Sequence, residues 1–381
     1  MASIQKRPNG SWRARYRDAA GREHATHRAT KREAQRWLDE QTASIVSGTY
    51  VDPRAGGVTL RAYYADWGAR QLWETNTRQA MELALRQCPF ADQPIKTVKR
   101  SDVELWVKAL TVAGLAPLTV HQRVDNIRRI LRSAVRDRII AADPTAGVVL
   151  PRKRRREARM TIPSTEDVGA LYAAAEDWFK PFVALCAFAG LRFGEANGVQ
   201  LGDVDFLRRT LDVRRQVQRI APHPLEIRGP KYGSERTVHL ADGLLQILSG
   251  HIETVGVYGT DRWLLVGRED GPAWPRSLQY AWDKTARAAG LGTGNAKSGT
   301  TDVTPHQLRH FYASGLIAAG CDVVTVQRAL GHASADITLR VYAHLWPDGN
   351  DRTRKAADDL LRTSLAVPAD RVRTGLVATT A

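Results

Sequence analysis

The segment Thr304-Pro305-His306-Gln307 combines a capping hydroxyl, a proline at the first helical position and an amide three residues after the cap, which marks a helix start. His306 then falls in the first turn, where free backbone N–H groups and the helix dipole favour an anion. Arg309 follows three residues later and projects from the same face. Gly320 can end this helix, and Asp322 can cap another that runs to Leu330. Gly331 supplies the next stop, with His332 directly after it, and a further short helix carries Tyr342. Imidazole, guanidinium and phenol groups therefore gather near successive helix ends, an arrangement suited to holding a phosphate.

Each of these residues also has a plainer reading. His306 and His310 stand four residues apart, as metal-binding pairs on helices do, but the zinc-protease pattern needs a glutamate between them and Gln307 occupies that place. No metal is expected there. Taken alone, Tyr342 is an ordinary packing aromatic and only its distance from His332 raises it; Tyr312 is read as core.

The whole chain favours a polyanionic partner. Its 381 residues carry a formal net charge of +16, which suits nucleic acid or an anionic membrane surface. The longest apolar stretch, Phe182 to Leu191, is too short to span a bilayer, and Met1 to Gly10 lacks the apolar core of a signal peptide. Cys88, Cys186 and Cys321 are odd in number and widely spaced, so they form neither a disulfide framework nor a zinc pattern and fit a reducing cytoplasm.

Several elements must position the reactive groups. Near the N-terminus Trp12, Ala14 and Tyr16 alternate with Arg13, Arg15 and Arg17, the period of a half-solvated strand. A turn at Asp18 to Gly21 leads to a second strand at His24 to His27, and Thr30 with Glu33 opens a helix whose Ala34, Trp37 and Leu38 cover the sheet. The arginine face is either a solvated edge or a DNA-reading surface. Gly48 to Gly57 reads as a linker. From Thr59 to Leu150 the pattern is helical, with core stripes at Leu60, Tyr63, Tyr64 and Trp67, at Val103, Trp106, Val107 and Leu110, and at Val120, Val124, Ile127, Leu131 and Val135. The last stripe is interspersed with Arg123, Arg128, Arg129, Arg132, Arg136 and Arg138, a solvated or a groove-binding face. The run PRKRRREARM from Pro151 to Met160, with Lys153, Arg154 and Arg155, is a charged linker able to displace counterions from a duplex. Beyond Ile162 the texture is mixed: Ser164 with Asp167 starts a helix, Phe182 to Ala189 is a buried one, and strands are expected around Leu211 to Val217, Leu225 to Ile227 and Val238 to Leu240. Lys231-Tyr232-Gly233-Ser234 lies where the last two strands would turn.

The motifs His306-Gln307-Leu308-Arg309-His310, Ala329-Leu330-Gly331-His332 and Val341-Tyr342-Ala343-His344 resemble the second conserved box of the tyrosine recombinases, the phage integrase family. Gly190-Leu191-Arg192-Phe193-Gly194-Glu195, followed by Leu201 to Asp205, resembles the first box. Pro230-Lys231-Tyr232-Gly233-Ser234-Glu235-Arg236 resembles the family's β-hairpin lysine motif, although Tyr232 replaces a small polar residue and His239 a frequent proline. Order and spacing agree over most of residues 163 to 346. The helical region and the basic N-terminal unit resemble core-binding and arm-binding domains more loosely.

The resemblance implies DNA strand transesterification. Tyr342 would attack the scissile phosphate to give a 3′-phosphotyrosine and a free 5′-hydroxyl, conserving the bond energy so that no cofactor is needed. Arg192 and Arg309 would clamp the non-bridging oxygens, Lys231 would protonate the departing 5′ oxygen, His306 would assist proton transfer at the tyrosine, and His332 would hydrogen-bond the phosphate. Glu195 would support the pocket without reacting. The implied architecture is multidomain and mainly α with α+β. It comprises a small β-sheet-plus-helix arm-type DNA-binding domain over 1–56, an all-α core-binding domain over 57–150, a basic linker over 151–162, a mixed α/β catalytic domain over 163–366 and a tail over 367–381. Arg13, Arg15, Arg17, Arg123, Arg128, Arg132, Lys153, Arg154 and Arg155 would contact DNA. The expected partners are double-stranded core and arm sites, a homotetramer on DNA, a host DNA-bending protein and a directionality factor, all in a bacterial cytoplasm. Asp351 to Leu365 would form a helix that docks on a neighbour or packs at home. A host-type resolving recombinase shares this chemistry but normally lacks the extra N-terminal domain. A catalytically silent DNA-binding regulator conflicts with the intact set of reactive residues, and a metal-dependent nuclease lacks its carboxylate cluster.

Overall fold

A strand whose side chains alternate between apolar and charged can bury one face only, and a helix must cover that face. The computed structural model describes residues 2–18, 21–47, 50–52, 54–152, 161–219, 224–267, 269–292, 303–346 and 350–365. It divides into two units, Met1–Arg156 and Glu157–Ala381.

In the first unit β1 (Ser3–Lys6), β2 (Trp12–Arg17) and β3 (Glu23–Arg28) form an antiparallel sheet in that order, with Tyr16 opposite His24. The first of these strands was not expected; its four residues carry one strong apolar side chain, Ile4, too little to show an alternation. Helix α1 (Lys31–Val46) begins with a capping box in which the Thr30 side chain and Glu33 satisfy each other's backbone N–H groups. Its Ala34 and Leu38 close over Ala14 and Tyr16, and all four are buried. The helical part comprises α2 (Leu60–Ala69), α3 (Thr75–Arg86), α4 (Arg100–Val112) and α5 (Pro117–Arg136). The expected stripes meet in one core, where Leu60, Val103, Val120, Val124, Ile127 and Leu131 are fully buried. A side chain of this kind contributes about 1.5–3 kcal/mol when removed from water.

The second unit opens with α6 (Thr165–Ala174), capped by Ser164 and Asp167, and α7 (Lys180–Phe188), buried from Pro181 to Ala187. A helix apolar on every side needs neighbours all round. Around it lie α8 (Phe193–Asn197), strands β4 (Val204–Asp205), β5 (Thr210–Val213), β6 (Gln216–Arg219), β7 (Leu225–Arg228) and β8 (Arg236–His239), and α9 (Asp242–Thr254) and α10 (Pro275–Ala288). The segment expected as a turn between two paired strands behaves differently. β7 pairs with β6, and β8 pairs with β5 in the β4-β5-β8 sheet, so the 3₁₀ turn Lys231–Gly233 passes from one sheet to another. The unit continues with α11 (Pro305–Ala318), α12 (Val323–Leu330), α13 (Ala335–Tyr342) and α14 (Asn350–Leu365), the last with Leu360 and Leu361 exposed. Among the described residues, no helix is long and apolar enough to cross a membrane.

Candidate active site

The α11 N-terminus forms as its residue types require, with Thr304 and Gln307 in a capping box and Pro305 in the first turn. His306 is exposed there, and Arg309, one turn further in, is only 1% exposed. Such a buried guanidinium needs acceptors, because it stays charged. It donates from Nη1 to the Gly190 carbonyl oxygen at 2.6 Å and from Nη2 to that of Leu330. Gly190 has φ +65°, and a Cβ there would lie 2.4 Å from the Tyr312 ring, so the loop preceding Arg192 can approach α11 only with glycine.

Arg192 is the N-cap of α8, and its backbone N–H donates to Glu195 Oε2 at 3.0 Å while its Nη1 donates to Oε1 at 2.6 Å. Glu195 is buried and accepts a second cation: Arg236 Nη2 donates to Oε2 at 2.8 Å. Burial alone would raise the Glu195 pKa, but the charge and hydrogen bond of Arg236, followed by those of Arg192, take it down to about 2. Arg192 also reaches Ser234 Oγ and the Gly331 carbonyl oxygen, both at 3.3 Å. The turn bearing Lys231 is thereby tied to the guanidinium through Ser234, and Lys231 itself is exposed. Arg236 Nε donates to the Ala329 carbonyl oxygen at 2.9 Å. Gly331 stops α12 in the left-handed region at φ 61°, and a Cβ there would lie 2.8 Å from Arg236 Cδ.

Two guanidiniums thus share one carboxylate while a third binds carbonyls nearby, so the cluster carries a net positive charge. Around it His332 is half-buried, its Nδ1 2.9 Å from Thr338 Oγ1, which leaves Nε2 as its other polar edge. Burial first, then the charges of Arg309 and Arg192, lower the His332 pKa to about 4, so the ring is neutral at pH 7. His306 is lowered too, by partial desolvation and then by Arg309 and Arg192. Tyr342 ends α13, 1% exposed, among Ala313, Ile317, Val326 and Leu330. Burial raises its pKa to about 12, although Arg309 and Arg192 pull it the other way. Its hydroxyl lies 2.7 Å from His310 Nδ1, and its ring is nearly parallel to that of His332, with centroids 6.5 Å apart.

The expected residues Arg192, Glu195, His306, Arg309, His332 and Tyr342 therefore converge, with Lys231 on an adjoining turn. Two further groups join them. In sequence His310 stands out only as half of a possible metal pair, and its Nδ1 instead meets the Tyr342 hydroxyl. Arg236 lies within the lysine motif, yet nothing local marks it as the second cation on Glu195. Among the described residues, the group of three possible metal ligands is Asp18, His24 and Asp52, where His24 Nε2 meets Asp18 at 2.9 Å and Arg22 pairs with Asp52 at 3.2 Å.

The expected DNA-contacting residues are placed as follows. Arg13, Arg15 and Arg17 share one face of β2, within 3.2, 3.7 and 4.0 Å of Glu23. On α5, Arg128 pairs with Asp125 at 2.6 Å and Arg132 with Asp143 at 3.2 Å. Arg123 is half-buried with its Nε unpartnered. Lys153, Arg154 and Arg155 lie outside the described residues.

Residues 164–348 match the family model described as Phage integrase family. The chain is 24% identical to a putative prophage phiRv2 integrase of Mycobacterium tuberculosis, over 92% of each chain. In fold it is similar to the Tn1549 transposon integrase solved with transposon right end DNA, at TM-score 0.65 and 19% identity over 80% of this chain and all of the other. It is also similar to a lambda integrase tetramer bound to a Holliday junction, at TM-score 0.56 and 19% identity over 87% of this chain and 96% of the other.

Proposed function

From the premise that this chain belongs to the phage integrase family of tyrosine site-specific DNA recombinases, we propose that it integrates or excises a mobile element through a 3′-phosphotyrosine on Tyr342. The observation that supports this reading is the joining of remote segments at one cluster of cationic and hydrogen-bonding side chains. Arg309 binds the carbonyls of Gly190 and Leu330, Arg192 binds that of Gly331, and Tyr342 and His332 lie against the same pocket.

The chemistry follows from those positions. Arg309 uses two of its five N–H donors on carbonyls, leaving others for a phosphate, and Arg192 approaches beside it. Two guanidiniums stabilise the charge that grows on the non-bridging oxygens as a phosphorane-like transition state forms. His332, neutral and held by Thr338, adds a hydrogen bond through Nε2, while His306 completes the rim at the α11 N-terminus. Glu195 orients both Arg192 and Arg236. Lys231 protonates the departing 5′ oxygen. Because Tyr342 keeps the phosphoryl group, the step is reversible without ATP or metal.

Four protomers would synapse two duplexes, in keeping with the lambda integrase tetramer on its junction. Residues 1–56 would hold arm sites, 57–150 and 163–366 would encircle the core site, and 151–162 would join them. A host bending protein and a directionality factor would bias the outcome, on DNA in a bacterial cytoplasm. Incubation with a nicked suicide duplex in EDTA tests the reading. The expected result is a covalent protein–DNA adduct that Tyr342→Phe abolishes; no adduct on the cognate site overturns it.

A further inference from the structure

A nucleophilic phenol at neutral pH must lose its proton to something, and the pocket's cations do not suffice. With a pKa near 12, Tyr342 is ionised in roughly one molecule in 10⁵ at pH 7. The group within hydrogen-bond distance of its hydroxyl is His310 Nδ1, 2.7 Å from the oxygen. His306, the residue expected to assist the tyrosine, meets His310 edge to face at 4.6 Å between centroids and has no contact to Tyr342 among the described hydrogen bonds and ring contacts.

We propose that His310 is the general base that takes the Tyr342 proton during DNA cleavage and returns it on rejoining. The proposal rests on the reading of Tyr342 as nucleophile. In the forward step the phenolic proton moves from Oη to His310 Nδ1 as the Oη–P bond forms. The P–O5′ bond breaks with its electron pair on O5′, which Lys231 protonates. In the reverse step the 5′-hydroxyl gives its proton to Lys231 and attacks phosphorus, the P–Oη bond breaks, and His310 Nδ1–H protonates the phenolate. For this the resting ring must be neutral with its proton on Nε2. Burial first, then the His306 and Arg309 charges on its own helix, hold its pKa near 4, and from α13 it faces the uncharged Tyr342. The same cationic surroundings make imidazolium formation transient, so the proton is readily returned.

The test measures adduct formation by the full chain on the nicked suicide duplex across about pH 6 to 9, with His310→Asn and His306→Asn. Asparagine places an oxygen near the position of Nδ1 and can accept the phenol's hydrogen bond, but it cannot take the proton. Wild type is expected to be nearly flat. His310→Asn is expected to lose roughly 10²-fold or more at pH 7 and to regain about tenfold per pH unit, while His306→Asn keeps the flat profile. A His310→Asn rate within threefold of wild type, or the rising profile appearing in His306→Asn instead, overturns the proposal while leaving Tyr342 as nucleophile. Absence of a wild-type adduct defeats both readings. A second measurement does not depend on the His310 variant folding: in Tyr342→Phe, which removes only the hydroxyl, the ¹⁵N resonance of His310 Nδ1 should move towards that of a free imine nitrogen. An unmoved resonance also overturns the proposal.

Discussion

Two places in this molecule set three arginines about one glutamate, with opposite consequences. On β2, Arg13, Arg15 and Arg17 reach Glu23 from an open sheet face, with side chains 29 to 61% exposed and the carboxylate 33% exposed. Around Glu195, Arg236 is 6% and Arg192 26% exposed, the carboxylate is fully buried, and its charge also acts on Arg309. Water screens the first group, so each pair contributes about 0–1 kcal/mol and the arginines remain available to phosphates. In the second, removing one partner strands a charge without solvent. The open cluster suits sequence-independent grip, which exchanges counterions, and the closed one suits fixed geometry at a reacting phosphate.

The largest difference should come from Glu195→Gln. Loss of the charge shared by Arg192 and Arg236 is expected to destabilise the second unit by about 3 kcal/mol at pH 7 in urea unfolding. The sign of its pH dependence follows from a folded pKa depressed to about 2. The Glu195 contribution is complete above the ordinary carboxylate range and is lost as pH falls towards 2. The variant should therefore lack that part of the acid limb, and an acid limb equal to that of wild type would break the comparison.

Arg309→Lys comes next. It keeps the charge but cannot bridge the Gly190 and Leu330 carbonyls while presenting a fork to the phosphate. Adduct formation should fall roughly 10²- to 10³-fold, with DNA affinity by gel shift nearly unchanged. The smallest effect is expected at the open cluster, where Glu23→Gln should alter stability by less than about 0.5 kcal/mol. DNA binding should tighten, and more so at low salt, because three arginines lose their internal competitor. A stability loss as large as that of Glu195→Gln would show that exposure is not what separates the two clusters.

Much of the local structure was legible because it depends on neighbours in sequence. The capping residues Thr30, Ser164 and Thr304, the stop at Gly331 and the apolar stripes of α2, α4 and α5 all act within a turn or two, where spacing alone sets the geometry. The first strand of the N-terminal sheet, β1, was not legible, since four residues with one strong apolar side chain carry no period. Nor was the strand pairing around Lys231, because β7 and β8 read as a hairpin in sequence until their partners β6 and β5 are known.

The residue types and order by themselves singled out one candidate set, Arg192, Lys231, His306, Arg309, His332 and Tyr342, most of it at helix ends. Only the tertiary structure decided how the set is wired. It makes Arg236 the second cation on Glu195, ties the Lys231 turn to Arg192 through Ser234, and sets the Tyr342 hydroxyl against His310 Nδ1. These are contacts between residues 32 to 42 positions apart in the chain. No helical or strand period reaches that far, and an imidazole's role is set by which atom packing brings to its nitrogen.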